Sequence, residues 1–150
     1  MSTSGTLPDH AWIAARIPHQ GSMCLLDAVL QWDAGHIVCR ASSHTRADHP
    51  LRAHGSLGMA NGIEYAAQAM AVHGALLAGS DRAPAAGFLA SVRDVQWHAP
   101  RLDTLPPELH VLAQRLSGDG NTLLYSFRLE AAGATVLSGR ASVMLDASLA

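Results

Sequence analysis

Residues 57–78 hold a single charged side chain, Glu64, in a run dominated by Ala, Gly, Met and Leu. No other stretch so constrains what this chain can become. Met59, Ile63, Met70 and Leu77 recur at helical spacing and Ala fills most of the gaps, which predicts a helix. Asn61, Glu64, Tyr65 and Gln68 fall together on the opposite face. A face turned to water would continue in Lys, Arg or Glu, whereas this one continues in Ala71, Val72 and Ala75. The expectation is a helix covered on nearly all sides, with the carboxylate in a cleft. Glu64 then reads either as the solubilising residue of an amphipathic face or as a group with a partner and a task. A membrane span does not fit, because Asn61, Glu64, Gln68 and His73 spread polar groups along the run.

The other elements follow from alternation and turn residues. A lead-in, residues 1–18, carries about one helical turn near Trp12–Arg16 and closes at Pro18. Met23–Gln31 and His36–Ser43 read as strands joined by the turn Asp33-Ala34-Gly35. Residues 44–56 have the composition of a loop. After the helix and a Pro-containing link, strands are expected at Gly87–Trp97, Leu109–Leu116, Thr122–Glu130 and Ala134–Leu145. Short glycine loops at 117–121 and 131–133 connect the last three. Short connections imply an antiparallel sheet with the helix on one face, an α+β arrangement. At 150 residues the chain is read as one domain, residues 1–150 with a core of about 17–145, able to bury roughly 70% of its unfolded surface.

Charge and cysteine usage narrow the chemistry. Net charge is −2 without a basic cluster, so neither a nucleic-acid nor a polybasic membrane surface is expected. All ten basic residues are Arg, which excludes mechanisms that need a lysine amine. Cys24 and Cys39 show neither metal spacing nor a Cys-x-x-Cys pair. The first residues lack the basic and apolar regions of a signal peptide, and with two unpaired Cys a cytoplasmic location is expected. Nine His raise the question of a metal. None lie at i, i+3 or i+4 on one helix, and His44, His49 and His54 are five apart with Pro50 between, so no metal site is expected. His19 and His49 each lie in a turn beside a Pro, and either could be aimed at Glu64. A His and a cleft carboxylate suffice to remove one proton and deliver another.

Three stretches in register resemble the hot-dog-fold 3-hydroxyacyl-acyl-carrier-protein dehydratases. They are Ile-Pro-His-Gln-Gly-Ser-Met-Cys-Leu-Leu-Asp at 17–27, Gly-Ile-Glu-Tyr-Ala-Ala-Gln-Ala-Met at 62–70, and Gly-Phe-Leu-Ala-Ser-Val-Arg-Asp-Val-Gln-Trp-His-Ala-Pro at 87–100. Their wording is most similar to a small stand-alone branch met in aryl-polyene gene clusters. One departure stands out. The family's Gly-His-Phe-Pro-Gly loop, whose His is catalytic, corresponds here to Ala-Asp-His-Pro-Leu-Arg at 47–52.

The resemblance implies a hot-dog fold, a sheet wrapped around the long helix, and a homodimer. It implies dehydration of a 3-hydroxyacyl thioester on acyl carrier protein to the trans-2-enoyl product, without a cofactor. Glu64 would be the general acid, its pKa raised by the apolar cleft. His19 or His49 would be the base, with His19 favoured because its Pro-His is intact, and Gln68 would orient the acid or the substrate hydroxyl. Backbone N–H groups at the helix start, Gly58–Asn61, would hold the thioester oxygen. A hot-dog thioesterase and a non-catalytic subunit that binds carrier protein remain as alternatives.

Overall fold

A computed structural model describes residues 6–79, 87–119 and 121–145. The link at 80–86 and the middle of the loop at 117–121 lie outside the described residues. Helix α1 (His10–Arg16) is capped by Asp9, whose carboxylate accepts the Trp12 N–H at 3.0 Å. Helix α2 (Gly62–Ala78) follows a 3-10 turn at Met59–Asn61 and ends at Gly79, which takes the left-handed conformation at φ 65°. Strands β1 (Ala28–Trp32), β2 (His36–Ala41), β3 (Gly87–Trp97), β4 (Leu109–Asp119), β5 (Thr122–Ala131) and β6 (Ala134–Leu145) form one sheet. Its order is β1-β2-β4-β5-β6-β3, antiparallel throughout. The β5–β6 turn is a two-residue connection with positive φ at both Ala132 and Gly133, the geometry that matches strand twist.

This is a hot-dog fold. The sheet wraps α2, which packs on β2, β4 and β5. The core joins Tyr65, Ala66, Ala69 and Val72 of α2 to Val111, Tyr125, Phe127 and Leu129 of the sheet. Gly62 allows the helix to seat: a Cβ there would lie 2.6 Å from Leu137 Cδ2 and 3.1 Å from Leu129 Cδ2. No described helix is long and apolar enough to cross a membrane.

Two expectations about local structure change. The run expected as a strand from Met23 begins as a 3-10 turn at Gly21–Met23, and the strand starts only at Ala28. In between, side chains hold Leu25, whose N–H donates to Gln68 Oε1 and whose C=O accepts from Ser43 Oγ, and contact with β2 begins only at Asp27 N–H, which donates to Arg40 C=O at 2.8 Å. The facing of α2 also differs. Leu77 is exposed and Ile63 half-buried, whereas Tyr65 and Gln68 are fully buried. The open stripe is Ile63, Glu64, Ala67, Ala71 and Gly74. Ala-rich helices bury almost any face, so the period was legible but the inward direction was not.

Candidate active site

Glu64 stands in the first turn of α2, and His19 in the bend between α1 and the 3-10 turn at Gly21–Met23. The two side chains meet with His19 Nε2 2.8 Å from Glu64 Oε2, at side-chain exposures of 24% and 33%. They are therefore covered enough to strengthen the contact and open enough to be reached. Gln68, one turn along and fully buried, uses its whole amide. Its Nε2 donates to Glu64 Oε2 at 3.2 Å and to Met23 C=O at 2.7 Å, while Oε1 accepts Leu25 N–H at 2.9 Å. One side chain thus fixes the orientation of the carboxylate and straps the segment after His19 onto the helix.

The charge state of Glu64 corrects one expectation. Its pKa lies below the usual carboxylate value, because the His19 hydrogen bond outweighs burial, and Gln68 adds to the effect. Desolvation does push upward, as the sequence reading held, but it is the smaller influence. At rest Glu64 is a carboxylate hydrogen-bonded to the His19 ring. His19 Nδ1, on the other side of the ring, is buried without a hydrogen-bond partner.

His49 is elsewhere. It is 4% exposed, and its ring lies against Tyr65, with Nε2 3.0 Å from the Tyr65 hydroxyl. Its Nδ1 accepts Leu51 N–H at 3.1 Å. Burial holds its pKa below the ordinary imidazole value, with Arg52 and Arg46 adding repulsion. The structure brings His19, Glu64 and Gln68 together and places His49 on a different set of bonds.

The helix start offers fewer free donors than expected. Met59 N–H donates to Pro100 C=O at 3.0 Å, and Asn61 N–H to Gly58 C=O at 3.1 Å. The Asn61 side-chain amide also turns back to Gly58 C=O, at 3.2 Å. Gly58 pairs with Arg101 in an isolated bridge. This segment is tied to the loop after β3, and α2 proper starts at Gly62.

Ile63, beside Glu64 in the chain, helps line an open groove of about 810 Å³ with Ala60, Val92, Val95 and Trp97. A bulge in β3 between Arg93 and Gln96, with Asp94 at φ 55°, sets the spacing of Val92 and Val95. A second concavity, of about 700 Å³, spreads over the sheet around Gln114, Ser126 and Arg140, and neither concavity is lined by His19, Glu64 or Gln68. No cluster of three or more His, Cys, Asp or Glu with metal-binding geometry occurs among the described residues. Cys24 and Cys39 are buried with raised pKa values, Cys39 up to about 12, which leaves both as unreactive thiols.

The residues that sequence reasoning missed are those that hold the site. Ser43, Tyr65 and the Met23 and Leu25 backbone fix the strap. A tyrosine inside an Ala-rich helix was the available signal, since a buried phenol needs a partner.

Comparison with solved structures places the arrangement in context. The dehydratase heterocomplex ApeI:P from Xenorhabdus doucetiae matches over 97% of this chain and 95% of that one, at TM-score 0.79 and 22% identity. AziG from S. sahachiroi matches over 78% and 88%, at TM-score 0.58 and 19% identity. A hypothetical thioesterase with coenzyme A from Streptococcus pneumoniae TIGR4 matches over 79% and 84%, at TM-score 0.58 and 12% identity. At these identities the likeness carries the fold alone. No curated protein matches the chain. A family model does: residues 11–149 match the ApeP-like family, described as ApeP dehydratase, and the chain belongs to that family of hot-dog dehydratases.

Proposed function

We propose that the protein dehydrates a 3-hydroxyacyl thioester carried on acyl carrier protein to the trans-2-enoyl thioester, with His19 as base and Glu64 as acid. The observation that carries this reading is the 2.8 Å contact between His19 Nε2 and Glu64 Oε2, both still partly open to solvent. Elimination needs a base at C2 and an acid at the 3-hydroxyl, and the reacting nitrogen and oxygen already face one another. The pair holds one proton, which can be written as imidazolium with carboxylate or as imidazole with carboxylic acid. Water favours the first form. A bound acyl chain excludes water, penalises the ion pair and shifts the proton to Glu64.

From that form the step balances. His19 Nε2 takes the C2 proton, the C–H electrons form the C2–C3 double bond, and the C3–O bond breaks as Glu64 gives its proton to the departing oxygen. Water leaves, and the pair is left as imidazolium and carboxylate, still holding one proton. No redox equivalent is consumed and no cofactor is invoked. Gln68 holds the carboxyl in place. Apolar Ile63, Val92, Val95 and Trp97 suit an acyl chain.

A partner belongs to this reading. β3 is the last strand of the sheet, 11 residues long and, among the described residues, paired with β6 alone. The stripe of α2 that is not covered is apolar apart from Glu64. A long unpaired edge calls for cover, and the ApeI:P structure is described as a heterocomplex. We propose that a second hot-dog chain, a copy of this one or a related one, covers the edge and closes the groove. Light scattering on the purified chain separates the two, since a strict monomer would require a different chain.

The decisive assay presents a 3-hydroxyacyl carrier protein and follows two products at once. New enoyl absorbance without free thiol supports dehydration. Free thiol without enoyl absorbance would replace it with thioester hydrolysis.

A further inference from the structure

Three side chains behind the site, His49, Tyr65 and Ser43, form a hydrogen-bond chain between two backbone groups with only one possible direction. Its first donor is Leu51 N–H, which can only donate, and it points at His49 Nδ1 at 3.1 Å. His49 must then be neutral with its proton on Nε2, so Nε2 donates to the Tyr65 hydroxyl at 3.0 Å. Tyr65 donates in turn to Ser43 Oγ at 2.7 Å. Ser43 donates to Leu25 C=O at 2.9 Å, and a carbonyl can only accept. Fixed at both ends, no link can reverse. His49, Tyr65 and Ser43 are all buried, with Tyr65 at 0% exposure and its phenol pushed up to about 12, so its proton stays on.

The chain ends on the residue from which the strap over Glu64 begins. Leu25 receives Ser43 on its carbonyl and sends its own N–H to Gln68 Oε1 at 2.9 Å. With the Nε2 bond to Met23 C=O at 2.7 Å, that bond sets which way the Gln68 amide faces, and so turns Nε2 toward Glu64 Oε2. If the Met23–Leu25 segment moves, Gln68 loses its orientation and the carboxylate loses a donor.

We infer that Tyr65 and Ser43 are positioning residues for the Glu64–His19 pair, acting through Leu25 and Gln68, and that His49 anchors this chain rather than exchanging protons with substrate. The inference rests on the proposed roles of Glu64 and His19, but it can be read without turnover. A buried, fully satisfied network holds its members in one arrangement, and displacement of a reacting group by about 1 Å costs up to about 100-fold in rate.

The test uses Ser43→Ala and Tyr65→Phe in the full chain, with two readouts. Ser43→Ala is the cleaner variant, since Ser43 is remote in sequence from Glu64 and the change is small enough to tolerate if Tyr65→Phe fails to fold. In each, kcat is expected to fall about tenfold with KM within about twofold. Carbon NMR of the Glu64 carboxyl is expected to show its titration moving up toward the ordinary carboxylate value, as the Gln68 donor is lost. Ser43→Thr, which keeps the hydroxyl, is expected to restore both. A lower melting temperature with unchanged kcat and unchanged Glu64 titration would overturn the inference, since that is what a structural role alone produces. If the wild type proves inactive as a dehydratase, the Glu64 titration still decides: movement in Ser43→Ala supports the chain, and none refutes it.

Discussion

Two histidines lie against neighbouring residues of one helix and have opposite fates. His19 meets Glu64 at 2.8 Å with a quarter of its side chain open, and His49 meets Tyr65 at 3.0 Å with almost none. Consecutive helix positions point about 100° apart, so Glu64 faces the cleft while Tyr65 enters the core. Each His inherits the setting of its partner. The carboxylate offers a group that can take and return a proton within the pair. The phenol, raised to about 12, offers only a fixed hydroxyl. A histidine beside a proline thus says little about chemistry until the facing of its partner is known.

The largest effect should come from breaking the open pair. Glu64→Gln keeps the shape and a hydrogen bond but removes the titrating proton, and kcat should fall by roughly 100-fold or more. His19→Ala should fall by a similar factor, and the double variant by little more than either, because the two act as a unit. Steady-state kinetics on a 3-hydroxyacyl carrier protein checks this. Near-normal activity for Glu64→Gln would remove it from the chemistry.

His49→Ala should separate the two histidines. If His49 were the base, its loss would match that of His19. As an anchor, its loss should lower kcat about tenfold while destabilising the fold, since the Tyr65 hydroxyl keeps only Ser43 and the partly buried Leu51 N–H loses its acceptor. A donor left without an acceptor costs about 1–3 kcal/mol. Denaturant melts beside kinetics give both numbers. A loss as deep as that of His19→Ala with unchanged stability would make His49 catalytic.

This contrast also marks how far the sequence could be read. The element order, the helix ending at Gly79, and strands β3 and β6 with their bounds were legible because periodicity and glycine turns report local structure. Glu64 was legible because a lone charge in an apolar run needs an explanation. What pairs with it was not. His19 and His49 present the same signal, and their separation depends on the direction in which Tyr65 points, a fact of packing. The sign of the Glu64 shift had the same cause: burial could be read from the surrounding Ala and Met, but the hydrogen bond that outweighs it spans 45 positions of chain. Likewise the segment 24–27 looks like a strand, yet Leu25 takes its bonds from Ser43 and Gln68, which no local pattern announces.

Gln68→Ala should match the anchor histidine in rate and fall well short of the open pair. It removes one donor to Glu64 and two bonds to the Met23–Leu25 strap, so kcat should drop about tenfold and stability by about 1–3 kcal/mol. The Glu64 titration should move up toward its ordinary value, since Gln68 is one of the groups that hold it down. Activity lost with no change in that titration would mean that Gln68 contacts substrate instead.

The smallest expected effect lies in the acid response of stability. His44, His49 and His73 are buried, and burial holds each below the ordinary imidazole value. In the unfolded chain these groups titrate near about 6.5. Between the folded and unfolded values the unfolded chain binds more protons, so stability rises with pH across that window. Their contribution is complete above about pH 6.5 and is lost as pH falls toward the folded values. Glu64 acts lower down, because its folded pKa is below the unfolded one: its contribution is present above about pH 4.3 and is lost as pH falls through the folded value. Melting temperature measured from pH 7.5 to 5 should therefore decline in the wild type. In His49→Asn, which cannot bind that proton, the decline should be shallower by one group's share, whatever the variant's starting stability. Glu64→Gln should leave the slope in this range unchanged and flatten it only in stronger acid. Should the His49 variant keep the full wild-type slope, the histidine is not held neutral by the fold, and the fixed direction of its bonds to Leu51 and Tyr65 fails with it.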